Sequence, residues 1–248
     1  MRRVEPTVAT AWLRSVDDGY LGFDIDVWDA STWVLNAMYE SEVPFPDMSW
    51  DELHKERLCA GEAEPWIING VNLDKRTIST GQPLGRSQAP GSGWRRLLWS
   101  ELAKREVAPL GASGVPPCFR WFSHQSWPIH IRPFAAGSLD RESFLRLAEI
   151  LLRQHGVTPD LRVWCYYAPL AVSDSDPEAS ALLEATLAEL PDVYDWPEAD
   201  GSPSNIWPDD KSWFVYSGYD LSGTRVSGSA EFVASVVADS ELETVRYP

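Results

Sequence analysis

SPSNIWPDDKSWFVYSGYDLSGTRVSGS, residues 202–229, decides how the rest of the chain is read. Its middle, SWFVYSGY (212–219), is dense in aromatic and β-branched side chains, the composition of a strand. Leu221-Ser222-Gly223 makes a turn, TRVSG (224–228) returns as the hairpin partner, and Ser229 stands where the N-cap of a closing helix belongs. Alternate residues of a strand share a face, so Trp213 and Val215 are predicted to point together into the core. Pro208 and the acid pair Asp209-Asp210 favour an exposed approach to that strand, which predicts that Trp207, Asp209 and Asp210 stay accessible.

Working outward, the elements alternate between strands and helices. LRVWCYYA (161–168) reads as a buried strand, and LETVRY (242–247) as the last one. Asp140 caps a helix whose Phe144, Leu147, Ala148 and Leu151 form one apolar stripe, with Gly156 as its stop. Asp176-Pro177 resembles a cap followed by a first-turn proline, which predicts a helix carried by Leu182, Leu183, Leu187 and Leu190. CFRWFS (118–123) and IHIRPF (129–134) read as two strands. The order from residue 118 is β-β-α-β-α-β-β-α-β. Hairpins mixed with helical crossovers imply an α+β fold: a mixed, largely antiparallel sheet with helices packed on one face.

A smaller N-terminal α/β region precedes it. YLGFDIDVW (20–28) alternates apolar and polar residues, as a half-buried strand does. A helix is predicted at 30–41 from Trp33, Val34, Ala37 and Met38. Ser49-Trp50-Asp51-Glu52 has the spacing of a capping box. Two short strands are expected within 66–80 and a helix over 94–106, while GQPLGRSQAPGSG (81–93) has the composition of a linker. The expected organisation is residues 1–92 as a strand-helix region and 93–248 as the main α+β domain, or the two together as one compact unit.

Composition narrows the class. The chain of 248 residues is 44% hydrophobic and 23% charged, ordinary for a globular protein. No apolar run has the length of a membrane span or of a signal peptide core. Cys59, Cys118 and Cys165 are odd in number and far apart, which fits a reducing cytoplasm better than a disulfide framework. Lysine and arginine number 21 against 37 acids, a formal charge of −16. Phosphate backbones and anionic membranes repel such a chain, so neither nucleic acid nor membrane is an expected partner.

The acidity is uneven. Residues 173–210 hold eleven acids and no Lys, Arg or His, so −11 of the −16 lies in 38 residues. A run like this serves as a solubilising face or as a docking surface for a basic partner. Thirteen tryptophans are the second unusual quantity. Several of them border Pro or Asp, where loops are expected and an indole lines a pocket or an interface. Tyr194, Trp196 and Trp207, interleaved with the acids and followed by Asp209 and Asp210, are therefore the candidate binding residues.

Signatures of catalysis are sparse. Cys118, His124 and His130 are spaced by six residues, but no zinc-binding spacing or fourth ligand accompanies them, and no metal site is predicted. Asp24 and Asp26 share a strand face, the arrangement of a solvated edge as well as of a divalent-cation site. Nucleophile-elbow, phosphate-loop and dinucleotide-binding patterns are absent, and no cofactor is predicted. An alternative pocket is conceivable around the 118–132 strands, where Arg120 and Arg132 on neighbouring strands, with His124 and Trp127, would grip a carboxylate or phosphate of a small molecule.

SPSNIWPDDKSWFVY, YDLSGTRVSGS and ELETVRY together resemble uncharacterised Trp-rich soluble proteins of actinomycetes. In composition the chain is also similar to bacterial toxin-immunity proteins: acidic, Trp-rich and α+β. These likenesses carry no site residue. The expectation is a non-enzymatic acidic binding protein, immunity-like or regulatory, that docks a basic protein. The alternative is a small-molecule-binding biosynthetic enzyme using the 118–132 pocket.

Overall fold

The computed structural model describes residues 1–14, 19–65, 67–68, 71–72, 90–106, 116–122, 125–134, 137–154, 157–172, 179–199, 201–219 and 221–246. Its strands are β1 (Arg2–Val4), β2 (Ala30–Leu35), β3 (Met38–Ser41), β4 (Ile67–Ile68), β5 (Val71–Asn72), β6 (Trp94–Leu97), β7 (Ile131–Arg132), β8 (Arg162–Tyr167), β9 (Ala181–Thr186), β10 (Asn205–Pro208), β11 (Phe214–Ser217), β12 (Gly223–Gly228) and β13 (Thr244–Arg246). The helices are α1 (Pro6–Ala9), α2 (Trp50–Ala60), α3 (Trp99–Glu106), α4 (Arg141–Leu152), α5 (Leu190–Val193) and α6 (Ala230–Val237).

The expected α+β class is what the structure has. One eight-stranded sheet runs β1-β9-β8-β10-β11-β12-β2-β13, every neighbour antiparallel. A three-stranded sheet, β6-β3-β7, and the β4-β5 pair are separate. β1 and β2, from within residues 1–92, lie in the same sheet as six strands from residues 93–248.

The hairpin of residues 213–228 sits near the middle of the large sheet, as its composition implied. Trp213 and Val215 point to one face, where Phe144, Leu147 and Leu151 of α4 and Phe232 and Val236 of α6 complete a core. The predicted caps are made: Asp140 accepts from Ser143 N at 3.2 Å and Ser229 from Phe232 N at 3.2 Å. Ser49 and Glu52 form the reciprocal capping box.

The sheet buries its other face as well. Trp33, Leu35, Tyr166, Leu182, Trp207, Phe214 and Tyr216 point there, into a second core with Phe23, Met38, Leu97, Trp99 and Trp127. Strands buried on both faces lose the apolar-polar alternation and read as continuous apolar runs, which accounts for two corrections. The helix expected at 30–41 is two strands, β2 and β3. The helix expected from Asp176 to Leu190 is instead strand β9 followed by short turns. Leu182 and Leu183 go to opposite faces rather than along one stripe. Asp176, Pro177, Gly156 and the 73–89 part of the expected 66–80 strands and of the linker lie outside the described residues.

Three further segments differ. Residues 94–106 divide into β6 and α3, because Trp94–Leu97 pairs with β3. Phe119–Trp121 is a single 3-10 turn rather than a strand. Residues 20–28 are extended but have only an isolated Tyr20–Gly22 bridge. Side chains of the sheet hold this segment in place of a partner strand. Asn205 accepts from Phe23 N at 2.7 Å and donates back to Phe23 O at 3.0 Å. Tyr166 donates its hydroxyl to Gly19 O at 3.1 Å, and Arg225 donates to Ile25 O at 2.8 Å. Phe23 and Ile25 are thereby buried, while Leu21 and Val27 stay exposed. Gly22 adopts φ +90°, and a β-carbon there would stand 3.2 Å from the Tyr216 ring and 3.3 Å from the Asn205 oxygen. Only glycine fits this bend without strain.

Candidate functional site: an aromatic groove across β1, β9, β8 and β10

The register of four adjacent strands sets one row of side chains across the sheet. Arg2 stands opposite Glu184, Glu184 opposite Trp164, and Trp164 opposite Trp207. Trp207 continues the row into Phe214 on β11, the next pair along that ladder. All lie on the face of the second core, since residues opposite one another in an antiparallel ladder share a face.

Trp12, in the turn after α1, caps the inner end of this row. Its ring meets Trp207 at 6.1 Å, Phe214 at 6.0 Å and Trp28 at 6.5 Å, each edge-on, the arrangement that ring quadrupoles favour. Between Trp12 and the strands a groove of about 380 Å³ remains open. Trp12, Trp164 and Trp207 are its aromatic walls, and Arg2, Glu5, Glu184, Asp209 and Lys211 are its charged ones.

The electrostatics are tightly organised. The guanidinium of Arg2 hydrogen-bonds Glu184 and holds its carboxyl below the ordinary value. Arg162 stands between Glu184 at 3.5 Å and Asp209 at 3.4 Å. Asp209 accepts from the Trp164 indole N–H at 2.6 Å. The ammonium of Lys211 lies 4.6 Å from the centre of the Trp12 ring, a cation–π contact. Glu5, exposed, has no counter-ion among the described residues.

The residues predicted from sequence divide between two places. Trp207 and Asp209 belong to the groove, but Trp207 is buried, 1% exposed, where accessibility was expected. It belongs to β10, a strand, and Trp12 covers it; the Pro208 that suggested a loop only ends the strand. Asp209 and Asp210 are exposed as expected. Asp210 accepts from Ser212 N at 3.0 Å and from the Ser212 hydroxyl at 2.8 Å, which closes the turn into β11. Tyr194 and Trp196 are elsewhere, buried in the α4-side core. Tyr194 lies 5.3 Å from the Phe144 ring and donates to Leu139 O at 3.2 Å, while Trp196 lies 5.1 Å from the Tyr167 ring. They are packing residues, not surface anchors.

The acid run is less bare than its sequence implies, because arginines from distant segments reach it. Of its seven described acids, Glu184, Glu189, Asp195, Glu198 and Asp209 have cationic partners: Arg2 or Arg162, the N-terminal ammonium, Arg141, and Arg3. Asp174, Asp176, Glu178 and Asp200 lie outside the described residues.

The alternative pocket is not assembled by neighbouring strands. Residue 120 is in the 3-10 turn, and Arg132 is on β7, whose partner is β3. Trp127 is buried against Trp99 and Phe122, at 5.7 and 5.0 Å between ring centres. Arg132 is exposed and stacks over Trp94 at 4.6 Å. His124 and the side chain of Arg120 lie outside the described residues. Among the described residues no group of three or more His, Cys, Asp or Glu is placed to hold a metal ion, and no helix is long and apolar enough to cross a membrane. Asp24 forms an ion pair with the Arg225 guanidinium.

Trp12, Trp164, Glu184 and Lys211 were missed. Trp164 was legible only as part of a buried strand, and Trp12 and Lys211 reach the groove through contacts that no local pattern encodes. Comparison of the chain with protein-family models, with curated proteins and with solved structures returns no match.

Proposed function

We propose that this chain is a binding protein, immunity-like or regulatory, whose aromatic groove docks a basic segment of a protein partner. The observation that carries this reading is the cross-strand row Arg2–Glu184–Trp164–Trp207. It leaves a half-buried indole beside three carboxylates at an open groove. Half-exposed tryptophan supplies large contact area at little entropic cost, as interface anchors do. The carboxylates steer a basic segment toward it. Exposed pairs such as Arg2–Glu184 are each worth only about 0–1 kcal/mol, so a partner's cation exchanges for Arg2 or Arg162 at little expense.

The test is site-specific crosslinking in the native cell extract. A photoreactive residue replaces Ala9, which lines the groove, or Ala234, which is exposed on α6 at the opposite face. The expected outcome is a basic protein joined to position 9 and not to position 234. Its yield falls at raised salt and with Trp164→Ala. Equal products from both positions, or none from position 9, overturn the reading.

A further inference from the structure

We propose that the groove is a lysine-recognition site: the partner's contact is an alkylammonium side chain, which takes the place over Trp12 that Lys211 holds in the unbound chain. This rests on the groove being the docking site.

The first support is the geometry of Lys211 itself. Its backbone lies in the left-handed region at φ +56°, which a residue with a β-carbon adopts only at a steric cost. The turn is held by Lys211 N donating to Pro208 O at 3.0 Å and by the Trp28 indole donating to Lys211 O at 2.9 Å. That backbone aims the side chain at Trp12, with the ammonium 4.6 Å from the ring centre. The residue is nonetheless exposed, so its ammonium can leave for water without burying a charge.

The second support is what surrounds the ring. Trp164 and Trp207 wall the same groove, suiting the methylenes of an alkyl chain, and Glu5 lines it with no counter-ion among the described residues. An aromatic face with a nearby carboxylate is the chemistry that selects an ammonium over a neutral chain of equal length. Lys211 thus acts as an internal competitor, and its removal exposes the site.

The probes are N-acetyl-lysine methylamide and its norleucine counterpart, which has the alkyl chain without the ammonium. Binding to the full chain and to Lys211→Met is followed by NMR shifts of the tryptophan indole N–H signals, with Trp12 assigned through Trp12→Phe. The lysine probe is expected to bind Lys211→Met about two- to fivefold tighter than the unmodified chain, the scale of one exposed cation–π contact. It should move the Trp12 and Trp164 signals, and Glu5→Gln should weaken it in the Lys211→Met background. Equal binding of the two probes, or no gain on removing Lys211, overturns the inference. Lys211→Met and Glu5→Gln alter exposed side chains, so folding is not at stake in either. If crosslinking at position 9 survives while the lysine probe fails, the groove still docks a partner, by other chemistry. If crosslinking fails while the probe binds as described, the site recognises lysine but the partner reading falls.

Discussion

The indole N–H of Trp164 donates to the carboxylate of Asp209 at 2.6 Å, from one strand to the residue just past the end of its neighbour. Asp209 N donates to Arg162 O at 3.2 Å, so the same residue also closes the backbone ladder between β8 and β10. A surface aspartate thereby sets the orientation of the ring that forms one wall of the groove.

Asp209→Asn retains an acceptor for the indole and is expected to cost less than about 1 kcal/mol, the scale of an exposed charge contact. Asp209→Ala loses the acceptor and should cost about 1 kcal/mol. Urea titrations give the stabilities, and the emission of Trp164 should change with Asp209→Ala more than with Asp209→Asn. A loss of folding in Asp209→Asn would show that the charge itself holds the edge of the sheet.

Trp207 and Trp213 lie on opposite faces of the sheet and are 1% and 3% exposed. Truncation of either to alanine should cost about 3–5 kcal/mol, the range for deleting a large buried ring. Trp164→Ala, at a half-buried site, should cost less than either. Denaturant melts of the three variants check the order.

Arg225 is buried between the rings of Trp33 and Tyr216, at 5.8 and 5.7 Å, and bonds Asp24 and Ile25 O. Its side chain is 3% exposed, that of Asp24 52%. Deleting the arginine opens a cavity and releases the 19–25 segment, whereas Asp24→Ala leaves a guanidinium that still has Ile25 O and two rings. Arg225→Ala is expected to cost about 2–5 kcal/mol, the range for deleting a large side chain from a core. Asp24→Ala should cost less than half of that. Protection of the Phe23 amide in hydrogen exchange should collapse in Arg225→Ala and persist in Asp24→Ala.

Arg146 of α4 grips Asp239, just beyond α6, through Nε at 2.9 and 3.1 Å and through Nη2 at 2.7 Å. The hydrogen bond from Arg146 holds the Asp239 carboxyl below its ordinary value. A depressed carboxyl contributes stability above its unfolded pKa, about 3.9 for aspartate, and loses it as pH falls through the depressed folded value. Asp239→Asn should therefore be less stable than the unmodified chain at pH 7, and the gap should begin to narrow below about pH 4. Melts at pH 7, 5 and 3 test this; a gap as large at pH 3 as at pH 5 would refute the charge-based origin.

Much of the framework was legible because its signals are local. The caps at Asp140, Ser229 and Ser49 need only three or four consecutive residues, and the α4 stripe of Phe144, Leu147, Ala148 and Leu151 repeats at the helical period. The 213–228 hairpin carried its own turn. From these the α+β class followed.

Where a strand is covered on both sides, the sequence alone left its type undetermined. Leu182 and Leu183 suit a helix as well as a strand, and β9 became a strand because β1 and β8 supply its hydrogen bonds from 178 residues before and about 20 residues before it. Trp33 and Val34 face opposite cores for the same reason. The groove is still further from local pattern. Arg2, Trp12, Trp164, Glu184, Trp207 and Lys211 meet only once four strands have settled in register, and the arginines that neutralise the acid run come from other segments of the chain. Periodicity and capping are properties of neighbours in sequence, so the sequence by itself determined them. Burial on two faces, ion pairing across the sheet and the open groove are properties of neighbours in space, and the tertiary structure decided those.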